Sequence, residues 1–528
     1  MDVCFIVMRE NYKTFFKELL LSVILSLYPV SYLYQVNSDK LLFKQTVLPF
    51  VIVGVTAFIT FLLFRLLRLV KIQINNIYLT IPILSIIFFF YGFFFNVLHS
   101  QYYLTGFIRN RYVLPLVLFT VIFLIYFISS IRNQNIIKFI IGFLIVLNIL
   151  PYLSSLFSSS YYFNQNINNH KVHNDLNKFN ANPNDPDIYY IVLDMYPSKG
   201  VLKKYWKFDN SKFLTDLNKI GFNVFNQSKS NYPITYLALN SILNMDYVQS
   251  QKQIKQNKLT NDFLIQTLAQ NRVSVFLKNR GYNYYIFEGG IIPEPLNKGK
   301  NDYYLSTSSS KSVLNYKTTP DNDFYLMFIN NSIFFPFVDR IQSISSKIYR
   351  KRIYYVLEEL PKLSKQPDKK FVIAHIMCPH SPFIFGENGE EVFVDENSHL
   401  RKQAFINQLK FINRQIIPVM SKLINSNNGR EKIIILQGDH GTREFKANEN
   451  YHSDEDWVQE YYGNFNSVYF SSTKIAKSYN YVAPVNTFRH LFNRQFDSNF
   501  KILPDSQYYS DFNFPLRFYK IKSNENSY

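Results

Sequence analysis

The chain has 528 residues, enough for more than one folded unit, with 47% hydrophobic residues and a formal net charge of +19. Its two cysteines, Cys4 and Cys378, exclude a disulfide framework. The positive charge follows a chain-wide abundance of Lys, Asn, Ile, Tyr and Phe without any patterned nucleic-acid motif, so a nucleic-acid partner is excluded as well.

Apolar residues come in long blocks before residue 158 and in short runs after it. Crossing a bilayer takes about 20 mostly apolar residues in a helix. Five stretches meet that length: Phe15 to Tyr34, Leu48 to Leu67, Ile77 to Leu98, Tyr112 to Ile131 and Ile136 to Leu156. The first carries Lys17 and Glu18 at its start and Pro29 inside. It is read as a span and not as a cleaved signal peptide, because its apolar part starts late and no small-x-small site follows. With the N-terminus inside, the inner segments hold eight Lys and Arg (Arg9, Lys13, Lys17, Arg65, Arg68, Lys71, Arg132, Lys138) and the outer loops four (Lys40, Lys44, Arg109, Arg111). That bias sets an N-in orientation. Five crossings then place everything after Leu156 outside the membrane. The expected division is a helical membrane domain over 1–157, a polar, Asn-rich linker over 158–187, and a soluble domain over 188–528.

The soluble part opens on Ile188 to Leu193, an unbroken apolar run that fits a strand buried on both faces of a parallel sheet. Similar runs recur at 222–225, 282–287, 371–377, 432–437 and 466–470. Helix-like stretches lie between them, at Asn261 to Asn279, Arg350 to Ser364 and Leu400 to Asn425. Alternation of this kind predicts an α/β domain with a mostly parallel sheet covered by helices. In such sheets the chemistry sits at the carboxyl ends of the strands. Asp194 follows the first run, His375 and His380 lie in and after the fourth (HIMCPHSPF), and Asp439 and His440 follow the fifth (QGDHG). Carboxylate and imidazole ligands suit a divalent metal such as zinc or manganese, and three protein ligands leave a position open. Each residue alone has a plainer reading: Asp194 as a turn or helix cap, a lone His as core or surface, QGDHG as a turn. Their coincidence at the ends of separate strands favours a metal site.

Taken in order, DIYYIVLDMY, SNYPITYLALNSILNMDY, HIMCPHSPF and IIILQGDHG resemble the sulfatase and alkaline-phosphatase superfamily, over roughly Pro186 to Phe470. The chain is most similar to its membrane-anchored, sulfatase-like branch, which includes the phosphoethanolamine transferases and lipoteichoic acid synthases. The resemblance implies a nucleophile bound to the metal, and the matching hydroxyl is Thr235. YLALNSILNM reads as a helix, so Thr235 sits near an N-terminus that favours an anion, and the plainer reading is a helix cap. Ser230 and Ser241 are weaker substitutes. The implied site has Asp194, Thr235, Asp439 and His440 on one zinc or manganese ion, Thr235 as nucleophile and His380 beside the leaving group, with His375 left outside the catalytic set. No Cys or Ser occupies a C/S-x-P-x-R frame here, which disfavours an ordinary sulfatase. Asp194 also stands where the lipid-linked transferases more often have Glu. The resemblance implies an enzyme of a bacterial-type inner membrane that moves a phosphoryl-linked headgroup from a membrane lipid donor to an envelope glycan or lipid acceptor. Its alternatives are hydrolysis of phosphate or sulfate esters at the same site, and an inactive surface or scaffold protein.

Overall fold

The computed structural model of the chain describes residues 12–36, 46–67, 70, 72, 74–102, 110–149, 182–250, 264, 267–289, 291–292, 299–307, 323–335, 338–394, 399–442, 454–472, 480–510 and 518–521. The chain divides into two compact units, one of residues 1–170 with 316–342, the other of residues 171–315 with 343–528.

The first unit is helical. Among the described residues, four helical stretches are long and apolar enough to cross a membrane: Thr14–Val36, Val47–Leu67, Ile77–Phe95 and Val113–Ser130. The first is broken at Leu27, two residues before Pro29, because proline has no N–H to donate to the Leu25 carbonyl and its ring crowds that group. Along Val47–Leu67, Val53, Ala57, Phe61 and Phe64 are buried at helical spacing, while Phe58, Ile59, Leu62 and Leu63 face outward. On the fourth stretch Leu116, Phe119 and Tyr126 are 65–75% exposed. Outward apolar faces of this extent are stable in lipid and not in water, and they make the chain a membrane protein. Glu18 and Arg65, near the ends of the first two stretches, neutralise each other in an ion pair. The fifth expected span is a shorter apolar helix over Gln134–Ile149, and residues 150–156 lie outside the described residues. So do Cys4 and the expected linker up to residue 181.

The second unit is built on a seven-stranded sheet. Its strands are β1 (Asp187–Leu193), β2 (Asn223–Val224), β3 (Asn283–Phe287), β4 (Asp302–Leu305), β5 (Lys370–Ile376), β8 (Lys432–Gly438) and β9 (Asn466–Phe470). A separate two-stranded sheet pairs β6 (Phe383–Phe385) with β7 (Glu391–Val394). The order of the large sheet is β2-β9-β8-β1-β5-β3-β4. Pairing is parallel from β8 through β1, β5 and β3 to β4, and antiparallel at β8–β9 and β9–β2. All seven residues of β1 are buried. Side chains alternate across a strand, so Ile188, Tyr190 and Val192 enter one core while Tyr189, Ile191 and Leu193 enter the other. Helices cover both faces, among them Thr235–Leu243 and Thr487–Phe496 on one side and Arg401–Asn425 on the other.

The sheet departs from the sequence reading at its edges. The run at 222–225 is only a two-residue antiparallel edge strand, and β9 also runs antiparallel. Apolar composition reports burial and carries no information on strand direction.

Candidate metal centre

β1 is flanked by β5 and β8, and the three run parallel, so their carboxyl ends meet at one edge. Leu193 pairs with Ile376 on one side and with Gly438 on the other. That register places Asp194 level with Asp439, one residue past each strand. The chain after β1 goes to one side of the sheet and returns to the other, the arrangement that opens a crevice at strand ends.

Asp194, Asp439 and His440 are all buried, and each offers a ligand atom within 4.8 Å of the others. The flanking glycines are required by close approach: a Cβ on Gly438 would lie 2.2 Å from the Tyr196 carbonyl oxygen, and one on Gly441 2.0 Å from that of Glu460. QGDHG is therefore packed against two backbones, which fixes Asp439 and His440 between them. Met195, directly after Asp194, is held at φ 57°, and its N–H donates to Asp439 Oδ1 at 2.8 Å. The left-handed backbone at a non-glycine residue stores strain of the kind found at functional sites.

His440 Nδ1 lies 2.7 Å from the Gly441 carbonyl oxygen. A carbonyl can only accept, so Nδ1 carries the proton and the neutral ring turns a lone pair outward at Nε2. That nitrogen is 3.3 Å from Asp439 Oδ2 and 3.1 Å from Thr235 Oγ1. Asp439 Oδ2 and Asp194 Oδ1 have no hydrogen-bond partner among the described residues, although both are buried. Orphaned carboxylate oxygens cost free energy in a protein interior. Two of them beside an imidazole nitrogen form an O,O,N donor set of the kind that suits a divalent cation.

Thr235 is the first residue of the helix Thr235–Leu243; Ile234 is its cap and makes no side-chain capping bond. The Thr235 hydroxyl lies against the His440 ring. Ser241 donates to the Ala238 carbonyl and Ser230 to that of Tyr232, so both weaker candidates are engaged locally. His380 is half-buried; its Nδ1 lies 2.5 Å from the Ser381 carbonyl oxygen and its backbone N–H donates to the Asp194 carbonyl.

His375 is closer to the centre than its strand position suggests. Its side chain is fully buried, with Nε2 3.3 Å from Asp194 Oδ2 and Nδ1 3.4 Å from the Gly289 carbonyl. Burial works against the His375 cation, but the hydrogen bond and charge of Asp194, followed by the charge of Asp439, outweigh it and raise its pKa. Burial likewise raises Asp194, while the charge of His380 and the hydrogen bond and charge of His375 together hold its carboxyl well below the usual carboxylate range. The available signal was that His375 falls near the end of the strand pairing with the Asp194 strand; an apolar run around it reads equally well as core.

No protein-family profile matches the chain, and no curated protein matches it. Among solved structures, the chain is similar to the C-terminal periplasmic domain of EcEptC from Escherichia coli in complex with zinc, at 13% identity and a TM-score of 0.40 over 65% of this chain and 95% of that one. A further similar structure is BT1596, a 2-O GAG sulfatase, at 14% identity and a TM-score of 0.35 over 59% of this chain and 70% of that one. With both units included, the chain is similar to the integral membrane lipooligosaccharide phosphoethanolamine transferase A from Neisseria meningitidis, at 13% identity and a TM-score of 0.39 over 90% of this chain and 95% of that one.

Proposed function

We propose that this protein is a membrane-anchored, sulfatase-like enzyme that transfers a phosphoryl-linked headgroup from a membrane lipid to an extracytoplasmic glycan or lipid through a covalent intermediate on Thr235. One observation carries the reading. The hydroxyl of a helix-initial residue lies 3.1 Å from His440 Nε2, the same nitrogen that faces Asp439 Oδ2, a buried oxygen with no hydrogen bond among the described residues.

Asp194, Asp439 and His440, with Thr235, would hold one zinc or manganese ion. Such an ion supplies charge that lowers the pKa of a hydroxyl and offsets negative charge on a phosphoryl group. Thr235 Oγ1 gives up its proton and bonds to phosphorus, while the bond from phosphorus to the lipid oxygen breaks. The free N–H groups at the start of the Thr235–Leu243 helix favour the phosphoryl anion. His380 returns a proton to the departing oxygen. An acceptor hydroxyl then gives its proton to His380 and attacks the same phosphorus, the bond from phosphorus to Thr235 Oγ1 breaks, and both residues return to their starting state. The donor lies in the bilayer that the apolar helices occupy, and an N-in orientation with five crossings puts the chemistry on the outer side of a bacterial-type inner membrane.

The test is the mass of the peptide containing Thr235. Full-length protein, wild type and Thr235→Ala, is incubated with zinc or manganese and phospholipid vesicles and then digested. The expected result is a metal-dependent adduct on Thr235 whose mass gives the headgroup, absent from the variant. An unmodified peptide from metal-loaded protein, together with turnover of a soluble phosphate or sulfate ester, would replace the transferase reading with hydrolysis.

A further inference from the structure

The first unit contains a piece of chain that hydropathy does not assign to the membrane. Residues 316–342 cluster with the N-terminal helices, although more than a hundred residues of the other unit precede them. Within this piece the helix Asp323–Asn331 and the turn after it, to Phe335, hold Asp323 as their single charged residue. The helix packs on Ile77–Tyr102. Phe328, 3% exposed, stacks on Phe89 with ring centroids 4.7 Å apart. Phe334 meets Phe88 edge-on at 5.5 Å, and Phe335 lies 5.4 Å from Phe95. The Ile333 N–H donates to the Phe88 carbonyl at 2.7 Å.

Gly92 sets the closeness of this contact. A Cβ there would lie 2.0 Å from the Asn330 carbonyl oxygen, so only glycine lets the two backbones meet. Two polar side chains of the segment are satisfied within it: Asn331 donates to the Met327 carbonyl and Ser332 to that of Ile329, while the Phe334 N–H donates to the Ser332 hydroxyl. Internal pairing of that kind is what a segment out of contact with water requires. Meanwhile Phe334, 48% exposed, and Phe93 and Phe94, 45% and 56%, keep apolar faces open on the same unit. Their environment is therefore apolar.

We propose that residues 323–335 are an element of the membrane-embedded unit, seated on the Ile77–Tyr102 helix in contact with lipid, and that they hold the later part of the chain to the membrane independently of the 158–187 linker. The inference rests on the first unit being in a bilayer. It is separate from the reaction assigned to the metal centre. The chain passes between the two units three times, after residues 170, 315 and 342, so cutting the linker severs only one connection.

The test inserts a specific protease site in the linker, between Asn168 and Asn169, in otherwise full-length protein. Membranes carrying it are cleaved and washed with high salt, and both fragments are followed by terminal tags. The expected result is that the C-terminal fragment stays with the membrane, and that Gly92→Leu, which keeps the helix apolar, and Phe328→Ala, on the opposite side of the contact, each release it to the supernatant. In uncleaved Phe334→Trp protein, made in a background lacking Trp206 and Trp457, brominated lipids should quench the new fluorescence. Release of the wild-type fragment, retention unchanged by both variants, or absence of quenching overturns the proposal. Loss of the N-terminal fragment in the wash would overturn the membrane assignment and this inference with it.

Discussion

His375 lies outside the candidate ligand set but against one of its members. It donates no ligand atom to the Asp194, Asp439 and His440 group, yet its Nε2 lies 3.3 Å from Asp194 Oδ2 in a fully buried setting. Asp194 Oδ1 is then the oxygen left for an ion, because Oδ2 is directed to His375. Partners that orient a metal-binding carboxylate matter to affinity nearly as much as the ligands do. His375→Ala is expected to weaken zinc binding about 10–100-fold, measured by competition with a chromophoric chelator. Asp439→Asn, which removes a ligand charge, should weaken it further. An unchanged affinity in His375→Ala would reduce His375 to core packing.

At the scale of strands, the centre depends on β1, β5 and β8 ending level, and both ends of the sheet enforce this. At the carboxyl end, Gly438→Ala would force a methyl against the Tyr196 carbonyl at 2.2 Å. It is expected to destabilise the soluble unit by about 1–3 kcal/mol and to lower metal affinity by shifting Asp439; denaturant titration and chelator competition read the two effects. At the amino end, Lys370 of β5 and Asp187 of β1 form a fully buried ion pair at 3.3 Å. Burial raises the Asp187 pKa, and Lys370 and Asn428 oppose the rise without cancelling it. A carboxyl raised by folding binds its proton more tightly in the native state. Ionised Asp187 therefore costs stability at neutral pH, and the cost fades as pH falls through the raised value. Lys370→Met removes the cation and should cost about 3–5 kcal/mol at neutral pH, with a smaller loss in mildly acid buffer; a loss that grows on acidification would show that another group controls the pair. The three central strands and the grouping of Asp194, Asp439 and His440 at their ends were legible in the sequence because long apolar runs end directly on Asp194 and Asp439. The direction of β9 was not, since antiparallel and parallel core strands share a composition. Strand β4 and the β6–β7 pair were hidden because they are short, and β4 and β7 lie half-open to solvent, so no apolar run marks them. Residues 323–335 were missed for a different reason: an apolar run of that length is too short to span a bilayer and reads as a core helix. The orphaned oxygens of Asp194 and Asp439, which favour a cation more strongly than any motif, exist only once the strands are aligned.

For the whole molecule, two units with different solvents imply two unfolding events and not a single two-state transition. One unit is stabilised by helix packing within lipid or detergent, the other by two apolar cores on either side of a sheet. The candidate metal group belongs to the second unit alone, since Asp194, Asp439 and His440, with the proposed nucleophile Thr235, all lie within it. A ligand that binds only the folded form stabilises the unit that holds it, by about 4 kcal/mol at a thousand-fold excess over its Kd. Zinc or manganese should therefore raise the unfolding temperature of one calorimetric transition and leave the other in place. EDTA should reverse the shift, and Asp439→Asn should remove it. Changing the detergent should do the converse, moving the transition that does not respond to metal. A single transition displaced by both treatments would show that the units unfold together, and a metal shift that persists in Asp439→Asn would move the cation away from the ends of β1 and β8.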